Sequence, residues 1–406
     1  MNTSPQDKKP RRILIFSLTY YPRFIGGAEV TIKELTDRIA LKDIEFDLIT
    51  LRFDSQLPAY EKVGNVNVHR IGWTQKEKVF PSTLTFFLNL NKYAYLCTGY
   101  FKALSLHRQK KFDVIWSFMA TYNSFAALFF KLTHPKIPFI LTLQEGDPIE
   151  YIKRRARPLY PIFKLIFRKA DYIQTISKFL ATWAKEMGAT CPITVVPNAV
   201  DLELFGKPLS NEKAEALKCE LHKKEGDVFL ITTGRLVEKN AVKDTISALT
   251  YLPAYVKFLI IGDGVDKAKL ESQVFNLLLK DRVKFLGYVP HAEMPPYLMV
   301  SDIFIRPSLS EGLGNSFLEA MAAGIPVIAT PVGGIPDFLI EGETGLFCEV
   351  NNPKSIAQKV EKILKDKESR EYIVTNAKNM VMKSYDWMKI AQQIQTILTT
   401  IEVRKV

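Results

Sequence analysis

The chain has 406 residues, of which 47% are hydrophobic and 24% charged, and its formal net charge is +12. This composition excludes a disordered protein, and the length allows two domains with separate cores. The four cysteines form no C-x-x-C pair, which argues against a disulfide framework or a zinc site and favours a reducing cytoplasm. The polar first twelve residues lead straight into a strand pattern without an apolar signal region.

The positive charge is confined to one half of the chain. Residues 1–200 contain 29 lysines and arginines against 16 acidic residues, whereas residues 201–406 contain 26 against 27. This asymmetry indicates that the two halves meet different partners, and that the first half meets something anionic.

The first half alternates short apolar runs with helical patterns. A strand is predicted at Ile13–Leu18, followed by a helix that begins at Gly26 and Gly27. Further strands are predicted at Phe46–Leu51, Val66–Ile71, Asp113–Phe118, Pro138–Leu143 and Tyr172–Ser177. Near-continuous apolar strands separated by helices predict a parallel sheet that is covered on both faces. The uncharged run 114–130 is broken by Ser, Thr and Asn, so a strand and a buried helix explain it better than a membrane span.

The strand pattern restarts after Pro208, which predicts a second doubly wound domain. Its strands are expected at Val228–Gly234, Val256–Gly262, Arg282–Gly287, Asp302–Ser308 and Pro326–Thr330. The linker is expected at 195–208, giving domains at residues 1–200 and 201–385. By sequence alone the last helix, within 386–406, could pack on either domain. Two such domains in α/β proteins are expected to face each other across a cleft, where ligands bind at the carboxyl ends of the strands.

Two carboxylates, Glu311 and Glu319, flank a glycine-rich turn and a helix start within residues 311–337. A loop carboxylate can accept hydrogen bonds from sugar hydroxyls, and one on the following helix can accept from both hydroxyls of a ribose. The backbone N–H groups around Gly314, Asn315 and Ser316 are expected to point toward a diphosphate. The alternative is that Glu311 caps the helix electrostatically and that Glu319 is solvated.

A second signal lies in residues 234–249, where a strand ends in Gly234 and Arg235, and Lys239 precedes a helix. Two cations beside a helix N-terminus suit a diphosphate leaving group. The alternative is two solvated cations. The nearby IGDG sequence (Ile261–Gly264) lacks the third glycine of a dinucleotide-binding fingerprint and does not follow the first strand of its domain, which argues against a dehydrogenase.

Together these motifs resemble the retaining glycosyltransferases of the glycosyltransferase-B fold, specifically group 1, also called family 4. The resemblance covers nearly the whole chain. It rests on five motifs in the family's order: GGAE (Gly26–Glu29), PNAVD (Pro197–Asp201), GRL…EK (Gly234–Lys239), IGDG and the Glu311/Glu319 pair.

The resemblance implies roles for the matching residues. Arg235 and Lys239 are expected to bind the diphosphate of a nucleotide-sugar, Glu311 the hydroxyls of the transferred sugar, and Glu319 the ribose. Further donor contacts are implied for Gly26, Gly27, Gly262, Gly264, Tyr288, Val289, Gly314, Asn315 and Ser316. No metal is required in this family, and the sequence has no suitably placed D-x-D motif. The family's last helix crosses back onto the first domain, and Trp387 fits its start.

The sequence departs from the family at LTLQEGDP (Leu141–Pro148). The family usually has a histidine that contacts the transferred sugar where this chain has Gln144. Glutamine cannot act as a general base near neutral pH, but it can donate and accept hydrogen bonds. The family's favoured front-face mechanism tolerates this, because the departing phosphate takes the proton of the acceptor. A mechanism with a side-chain base would need Glu145 or Asp147, unless both residues only end the strand.

The segment Tyr151–Ala170 carries seven lysines and arginines, no acidic residue, and apolar residues at helical spacing. It is predicted as a helix, either with a solvated basic face or in contact with anionic lipid. We therefore expect a cytoplasmic enzyme, peripheral on the inner face of the membrane, that acts on a lipid-linked or anionic glycan acceptor. Nucleic acid is not expected, since no reading motif supports it. The alternatives are a non-catalytic binding homologue, motivated by Gln144, and a sugar-nucleotide epimerase of the same fold.

Overall fold

The computed structural model describes residues 9–23, 26–74 and 81–403. The described strands are β1 Arg11–Phe16, β2 Ile44–Leu51, β3 Tyr60–Val63, β4 Val66–Ile71, β5 Val114–Phe118, β6 Phe139–Leu143, β7 Tyr172–Thr175, β8 Ile193–Val195, β9 Val228–Thr233, β10 Val256–Ile261, β11 Val283–Gly287, β12 Ile303–Arg306, β13 Val327–Ala329 and β14 Leu346–Phe347.

The helices alternate with these strands. They are α1 Gly27–Arg38, α2 Pro81–Gln109, α3 Tyr122–Thr133, α4 Ile149–Ala156, α5 Tyr160–Lys169, α6 Lys178–Glu186, α7 Leu202–Phe205, α8 Asn211–Glu220, α9 Val242–Ala248, α10 Lys267–Asn276, α11 Met294–Met299, α12 Asn315–Ala322, α13 Pro353–Lys365, α14 Lys367–Ser384 and α15 Trp387–Thr400. Short 3₁₀ turns lie at Arg157–Leu159, Glu238–Asn240, Leu249–Tyr251, His291–Glu293 and Ile335–Asp337.

The chain forms two compact units, each built on one sheet. The first comprises residues 1–145, 150–197 and 387–406, and the second comprises 146–149 and 198–386. The first sheet has the order β3-β4-β2-β1-β5-β6-β7-β8, and the second has the order β11-β10-β9-β12-β13-β14. The prediction of two doubly wound α/β domains is confirmed.

The core of the first unit explains its apolar strands. Residues 13–16 of β1 are fully buried, because helices cover both faces of the sheet. The polar residues that interrupt the run 114–130 serve the same core. Asn123, at the start of α3, donates to the carbonyl oxygens of Phe16 and Phe118, both at 2.9 Å. None of the helices in the described ranges is long and apolar enough to cross a membrane.

Helix α15 belongs to the first unit. It packs on α1, and Trp387 at its start is buried. Arg11, the first residue of β1, donates to the carbonyl oxygen of Ile401 at 2.7 Å, just beyond the end of α15. Helix α15 is thus joined to the beginning of the first sheet.

Two features of the first unit differ from the expectation. Strand β3 is antiparallel to β4 and is joined to it by the two residues Gly64 and Asn65. The predicted helix Tyr151–Ala170 is wrong as one continuous element, since a 3₁₀ turn at Arg157–Leu159 separates α4 from α5. Pro158 lies in that turn, and Pro161 lies in the first turn of α5, where a missing N–H breaks no helical hydrogen bond.

Candidate active site at the edge of the second sheet

The candidate residues of the second unit follow four neighbouring strands. Strands β11, β10, β9 and β12 are adjacent and parallel, so their carboxyl ends share one edge of the sheet. The residues that follow them are Tyr288 after β11, Gly262 to Gly264 after β10, Gly234 and Arg235 after β9, and Glu311 on the loop after β12. The topology therefore brings three of the five sequence motifs, together with Tyr288, to one edge.

Glu311 is held by a buried arginine. Its Oε2 atom accepts a hydrogen bond from Nη2 of Arg306 at 2.8 Å, and Arg306 also donates from Nη1 to the carbonyl oxygen of Thr233 at 3.2 Å. The guanidinium lies 4.3 Å from the ring centroid of Phe317. Burial lowers the pKa of Arg306 from its ordinary value, while the negative charge of Glu311 opposes that shift. The pair therefore fixes one face of the Glu311 carboxylate.

The backbone around Glu311 is also fixed. Its carbonyl oxygen accepts from the N–H of Gly334 at 3.1 Å, and its Oε1 atom accepts from the N–H of Gly312 at 3.0 Å. A side chain at Gly333 would place a Cβ atom 1.8 Å from the Glu311 carbonyl oxygen, and Gly333 has φ +57°. Only glycine allows this approach, so Gly333 and the adjacent Gly334 serve to position Glu311.

Helix α12 begins directly after Gly314, which has φ +92°. Asn315 at its first position accepts a hydrogen bond from the side chain of Asn198 at 3.2 Å. One turn later, Glu319 lies 2.9 Å from Nε2 of His291, with its side chain 14% exposed. The Glu319 carboxylate is thus mostly buried and held by an imidazole rather than freely solvated.

Three buried polar atoms near this helix have no hydrogen-bond partner among the described residues. They are Nε of Arg306, Oγ of Ser308 and Oγ of Ser316. Buried polar groups in proteins are nearly always hydrogen-bonded, so a group of such atoms beside the strand end is typical of a ligand site.

The glycines after β9 and β10 pack against each other. A Cβ atom at Gly262 would lie 1.8 Å from the carbonyl oxygen of Gly234, and one at Gly264 would lie 2.3 Å from that of Leu236. Gly262 has φ +136°, a conformation that side chains disfavour. These glycines let two loops approach closely at the sheet edge.

The two cations after β9 have different surroundings. Lys239 donates from Nζ to the carbonyl oxygen of Gly146 at 2.7 Å, and its Nζ lies 3.4 Å from Oδ1 of Asp147. The Arg235 side chain is exposed and makes no hydrogen bond or ion pair with the residues that the structure describes. Arg235 is therefore available to a ligand, whereas Lys239 already holds the segment 146–149.

That segment contains part of LTLQEGDP and lies in the second unit. A Cβ atom at Gly146 would lie 2.9 Å from Nζ of Lys239 and 3.3 Å from Oε1 of Glu311. Ser310 donates to the Gly146 carbonyl oxygen at 3.3 Å. Gly146 thus sits between the two site residues, where no larger residue fits without displacing them.

Gln144 and Glu145 lie in the first unit, at the end of β6. Glu145 is only 2% exposed, and its carboxylate accepts a hydrogen bond from the backbone N–H of Ala120 in the loop after β5. Gln144 is 9% exposed. Glu145 therefore joins the ends of two neighbouring strands.

The remaining candidates are placed as follows. Glu29 caps α1 by accepting from the N–H of Gly26 at 3.0 Å and from the hydroxyl of Thr19, so its carboxylate shapes the Gly26–Gly27 turn. Tyr288 is 70% exposed, and Val289 beside it is half-buried. Among the described residues, no group of three or more acidic, histidine or cysteine side chains could hold a metal ion.

Sequence reasoning missed Arg306 and His291. Arg306 could have been found as a charged residue that closes the otherwise apolar strand Ile303–Arg306. His291 had no local signal, because its partner Glu319 is 28 residues away in the chain.

Two family models match successive parts of the chain. The model of Glycosyltransferase Family 4 matches residues 25–204, and that of glycosyl transferases group 1 matches residues 213–380. Among curated relatives, an uncharacterized glycosyltransferase of Methanocaldococcus jannaschii is 27% identical over 94% of this chain and 96% of its own. The N-acetyl-alpha-D-glucosaminyl L-malate synthase of Bacillus anthracis is 26% identical over 95% and 96%.

Solved structures share the fold. The sucrose-phosphate synthase of Thermosynechococcus elongatus has a TM-score of 0.80 and 20% identity, covering 95% of this chain and 98% of that one. Anabaena HepE, solved in complex with UDP-glucose, has a TM-score of 0.77 and 19% identity, covering 96% and 100%. These likenesses confirm the predicted glycosyltransferase-B architecture.

Proposed function

We propose that this chain, which is a glycosyltransferase of the glycosyltransferase-B fold, moves a sugar from a nucleotide-sugar to a lipid-linked or anionic glycan acceptor at a membrane surface, with retention of the anomeric configuration. The observation that carries the proposal is the fixed carboxylate of Glu311, which shares one sheet edge with the exposed cation of Arg235. The structural neighbour solved with UDP-glucose supports a nucleotide-sugar as donor.

The cations would act on the diphosphate. Arg235 offers a planar guanidinium that can donate two parallel hydrogen bonds to phosphate oxygens. Lys239 would add a second positive charge once the donor competes with Gly146 and Asp147 for its ammonium group. Both charges stabilise the diphosphate more as it leaves than before, which is the condition for faster chemistry.

The carboxylates would hold the sugars. Arg306 and Gly312 fix the orientation of the Glu311 carboxylate. In that orientation Glu311 would accept hydrogen bonds from hydroxyls of the transferred sugar. Glu319 would accept from the ribose hydroxyls, with His291 as its fixed neighbour. Gly262, Gly264, Gly314, Asn315 and Ser316 would allow the nucleotide to approach the backbone at the strand ends and at the start of α12.

The proposed reaction needs no side-chain base. The bond between the anomeric carbon and the phosphate oxygen breaks, and the acceptor oxygen bonds to the same face of that carbon. The acceptor proton passes to the departing phosphate. Gln144 would contribute only hydrogen bonds, and Gly26 and Gly27 would leave room for the donor phosphate and the acceptor.

The membrane part of the proposal rests on charge. Seven lysines and arginines lie within Tyr151–Ala170, which has no acidic residue of its own, and only Lys153 pairs with the preceding Glu150 among the described residues. Phe163, Ile166 and Phe167 of α5 are buried in the first unit, so the apolar face of that helix is already used. We therefore expect electrostatic association with anionic vesicles that weakens as salt rises, and association that is absent or independent of salt contradicts it.

The activity can be tested with a donor panel. The protein is incubated with UDP-, GDP- and ADP-sugars and with membrane-lipid and glycan extracts, and mass spectrometry detects released nucleoside diphosphate and glycosylated product. Proton NMR of the product then gives its anomeric configuration. We expect product only when acceptor is present, with the configuration of the donor retained.

Two outcomes contradict the proposal. Binding of a nucleoside diphosphate without transfer from any donor favours the non-catalytic homologue, which Gln144 motivates. Conversion of the donor in the absence of any acceptor favours the epimerase.

A further inference from the structure

A cluster of tyrosines and cations lies on the first unit, and three of its members belong to the segment Tyr151–Ala170. We call it the tyrosine–arginine cluster. Its members are Lys92, Tyr93, Tyr122, Tyr151, Arg154 and Arg155.

The members touch one another through rings and guanidinium groups. Arg155 lies over the rings of Tyr122 and Tyr151, at 5.7 and 5.6 Å from their centroids, and donates to the Tyr122 hydroxyl at 3.3 Å. Arg154 lies 5.6 Å from the Tyr151 centroid. Tyr93 packs edge-on against Tyr122 with centroids 5.2 Å apart. The aromatic contacts hold the cations in place, which lowers the entropy that they lose when they bind a ligand.

Two parts of the cluster follow neighbouring strands of the first sheet. Tyr122 opens α3, directly after β5, and the arginines lie on α4, after β6. Strands β5 and β6 are parallel neighbours, so both helices begin beyond the same sheet edge. In doubly wound folds this edge is where ligands bind.

No carboxylate in the described part of the chain neutralises the positive charge of the cluster. Among the described residues, no ion pair includes Lys92, Arg154 or Arg155, and the nearby Glu150 pairs with Lys153 at 2.9 Å. Burial lowers the pKa of Lys92, and the charge of Arg155 lowers it further. Burial raises the pKa of the Tyr122 phenol, but the hydrogen bond from Arg155 and its charge bring it below its ordinary value. Three cations that repel one another favour a bound anion.

We propose that the tyrosine–arginine cluster binds a phosphate group on the acceptor, with the tyrosine rings against the sugar or chain that carries it. Guanidinium groups bind phosphate through paired hydrogen bonds, and exposed tyrosine rings offer flat apolar surface beside them. Tyr93 and Tyr151 are 59% and 40% exposed, so both rings are accessible. This assignment rests on the proposed function, since it supplies the acceptor side of that reaction.

The test measures binding of glucose 1-phosphate by NMR titration in saturating UDP, with glucose as the uncharged control. We expect Arg155→Ala to raise the dissociation constant about 10-fold or more, the loss typical of a charge-assisted hydrogen bond. Tyr122→Phe, which keeps the ring, should have a smaller effect. Lys42→Ala removes one exposed positive charge of the first unit, outside both the cluster and the segment Tyr151–Ala170, and should leave the constant nearly unchanged.

A second arm uses vesicles of phosphatidylglycerol, with phosphatidylcholine vesicles as the control. Loss of binding in Arg155→Ala for the vesicles alone identifies the phosphate as a lipid's, and loss for glucose 1-phosphate alone identifies it as a free sugar phosphate. The proposal is overturned if wild type binds neither probe, if Arg155→Ala binds both as wild type does, or if Lys42→Ala has an equal effect.

Failure of the proposed function is measured separately. If the protein does not bind UDP but its cluster still binds the phosphate probe, the proposed function is wrong and the proposed phosphate site stands. If the protein transfers sugar but Arg155→Ala binds both probes like wild type, the proposed function stands and the proposed phosphate site is wrong.

Discussion

The sheet edges of the two units hold their charged residues in opposite ways. In the second unit Arg306 and Glu311 are mostly buried and paired with each other, and glycines bring the backbone within contact of both. In the first unit the arginines of the tyrosine–arginine cluster are exposed and touch aromatic rings, without a carboxylate partner among the described residues. The difference indicates that the second unit holds a ligand in one fixed geometry, whereas the first unit attracts an anionic ligand by its positive charge.

Arg306→Leu should have the largest effect. It leaves the Glu311 carboxylate mostly buried without its cation, which destabilises proteins by about 3–5 kcal/mol. The four tryptophans, Trp73, Trp116, Trp183 and Trp387, all lie in the first unit. The urea midpoint of unfolding measured by circular dichroism should therefore fall, while the midpoint measured by tryptophan fluorescence should change little.

The double variant Arg306→Leu/Glu311→Leu is the matched control. Because it removes both charges, it should recover part of the lost stability. A double variant that is less stable than either single variant contradicts the view that the ion pair dominates this edge.

Glu311→Gln should reduce transfer by about 10²–10³-fold, the usual loss when one charge-stabilising group is removed from an active site. Glutamine keeps an oxygen that can accept from Arg306, so the fold should survive. Steady-state kinetics and a UDP titration separate an effect on catalysis from an effect on donor binding. We expect the UDP dissociation constant to change by less than about 3-fold. Glu343→Gln, at an exposed position, is the control. Wild-type turnover in Glu311→Gln removes the residue from the reaction.

These effects bear on what the sequence could predict. Apolar strands such as Phe139–Leu143 were found within one residue, because burial on both faces leaves a continuous apolar run. Strand β3 was missed although Gly64 and Asn65 form a recognised hairpin turn, since its Tyr60–Val63 sequence alternates exposed and half-buried residues on the sheet edge. The short strands β8 and β14 were also missed, because they have too few residues to show an apolar run or an alternation.

The site was predictable as a set of motifs but not as a set of contacts. Glu311 was named from the sequence but Gly333 was not, because their close approach depends on how two loops fold onto one edge. The partners Arg306 and His291 are fixed by tertiary structure, which local periodicity does not carry. Pro158 and Pro161 indicate the break between α4 and α5. The break was missed because the apolar residues on both sides of it keep a helical spacing.

Arg235→Ala should have an intermediate effect. Its guanidinium is exposed and has no side-chain partner among the described residues, so its removal should leave stability unchanged. Loss of a charge-assisted hydrogen bond to the diphosphate should raise the UDP dissociation constant by about 10- to 100-fold, as measured by calorimetry. Lys243→Ala, a lysine on α9, serves as a control for net charge. An unchanged constant in Arg235→Ala excludes it from the donor site.

Glu145→Gln should have the smallest effect, and it decides between two mechanisms. The Glu145 carboxylate is buried and accepts from the backbone N–H of Ala120, a bond that a glutamine oxygen can also accept. If the departing phosphate takes the acceptor proton, transfer should fall by less than about 3-fold, since general-base catalysis usually contributes 10²–10⁴-fold. The rate is measured with saturating donor and acceptor, with Asp147→Asn in parallel because Asp147 is the other candidate base. A loss of 100-fold or more in either variant, with wild-type circular dichroism, assigns the proton to that carboxylate. Such a loss in Glu145→Gln makes the first unit as demanding in geometry as the second.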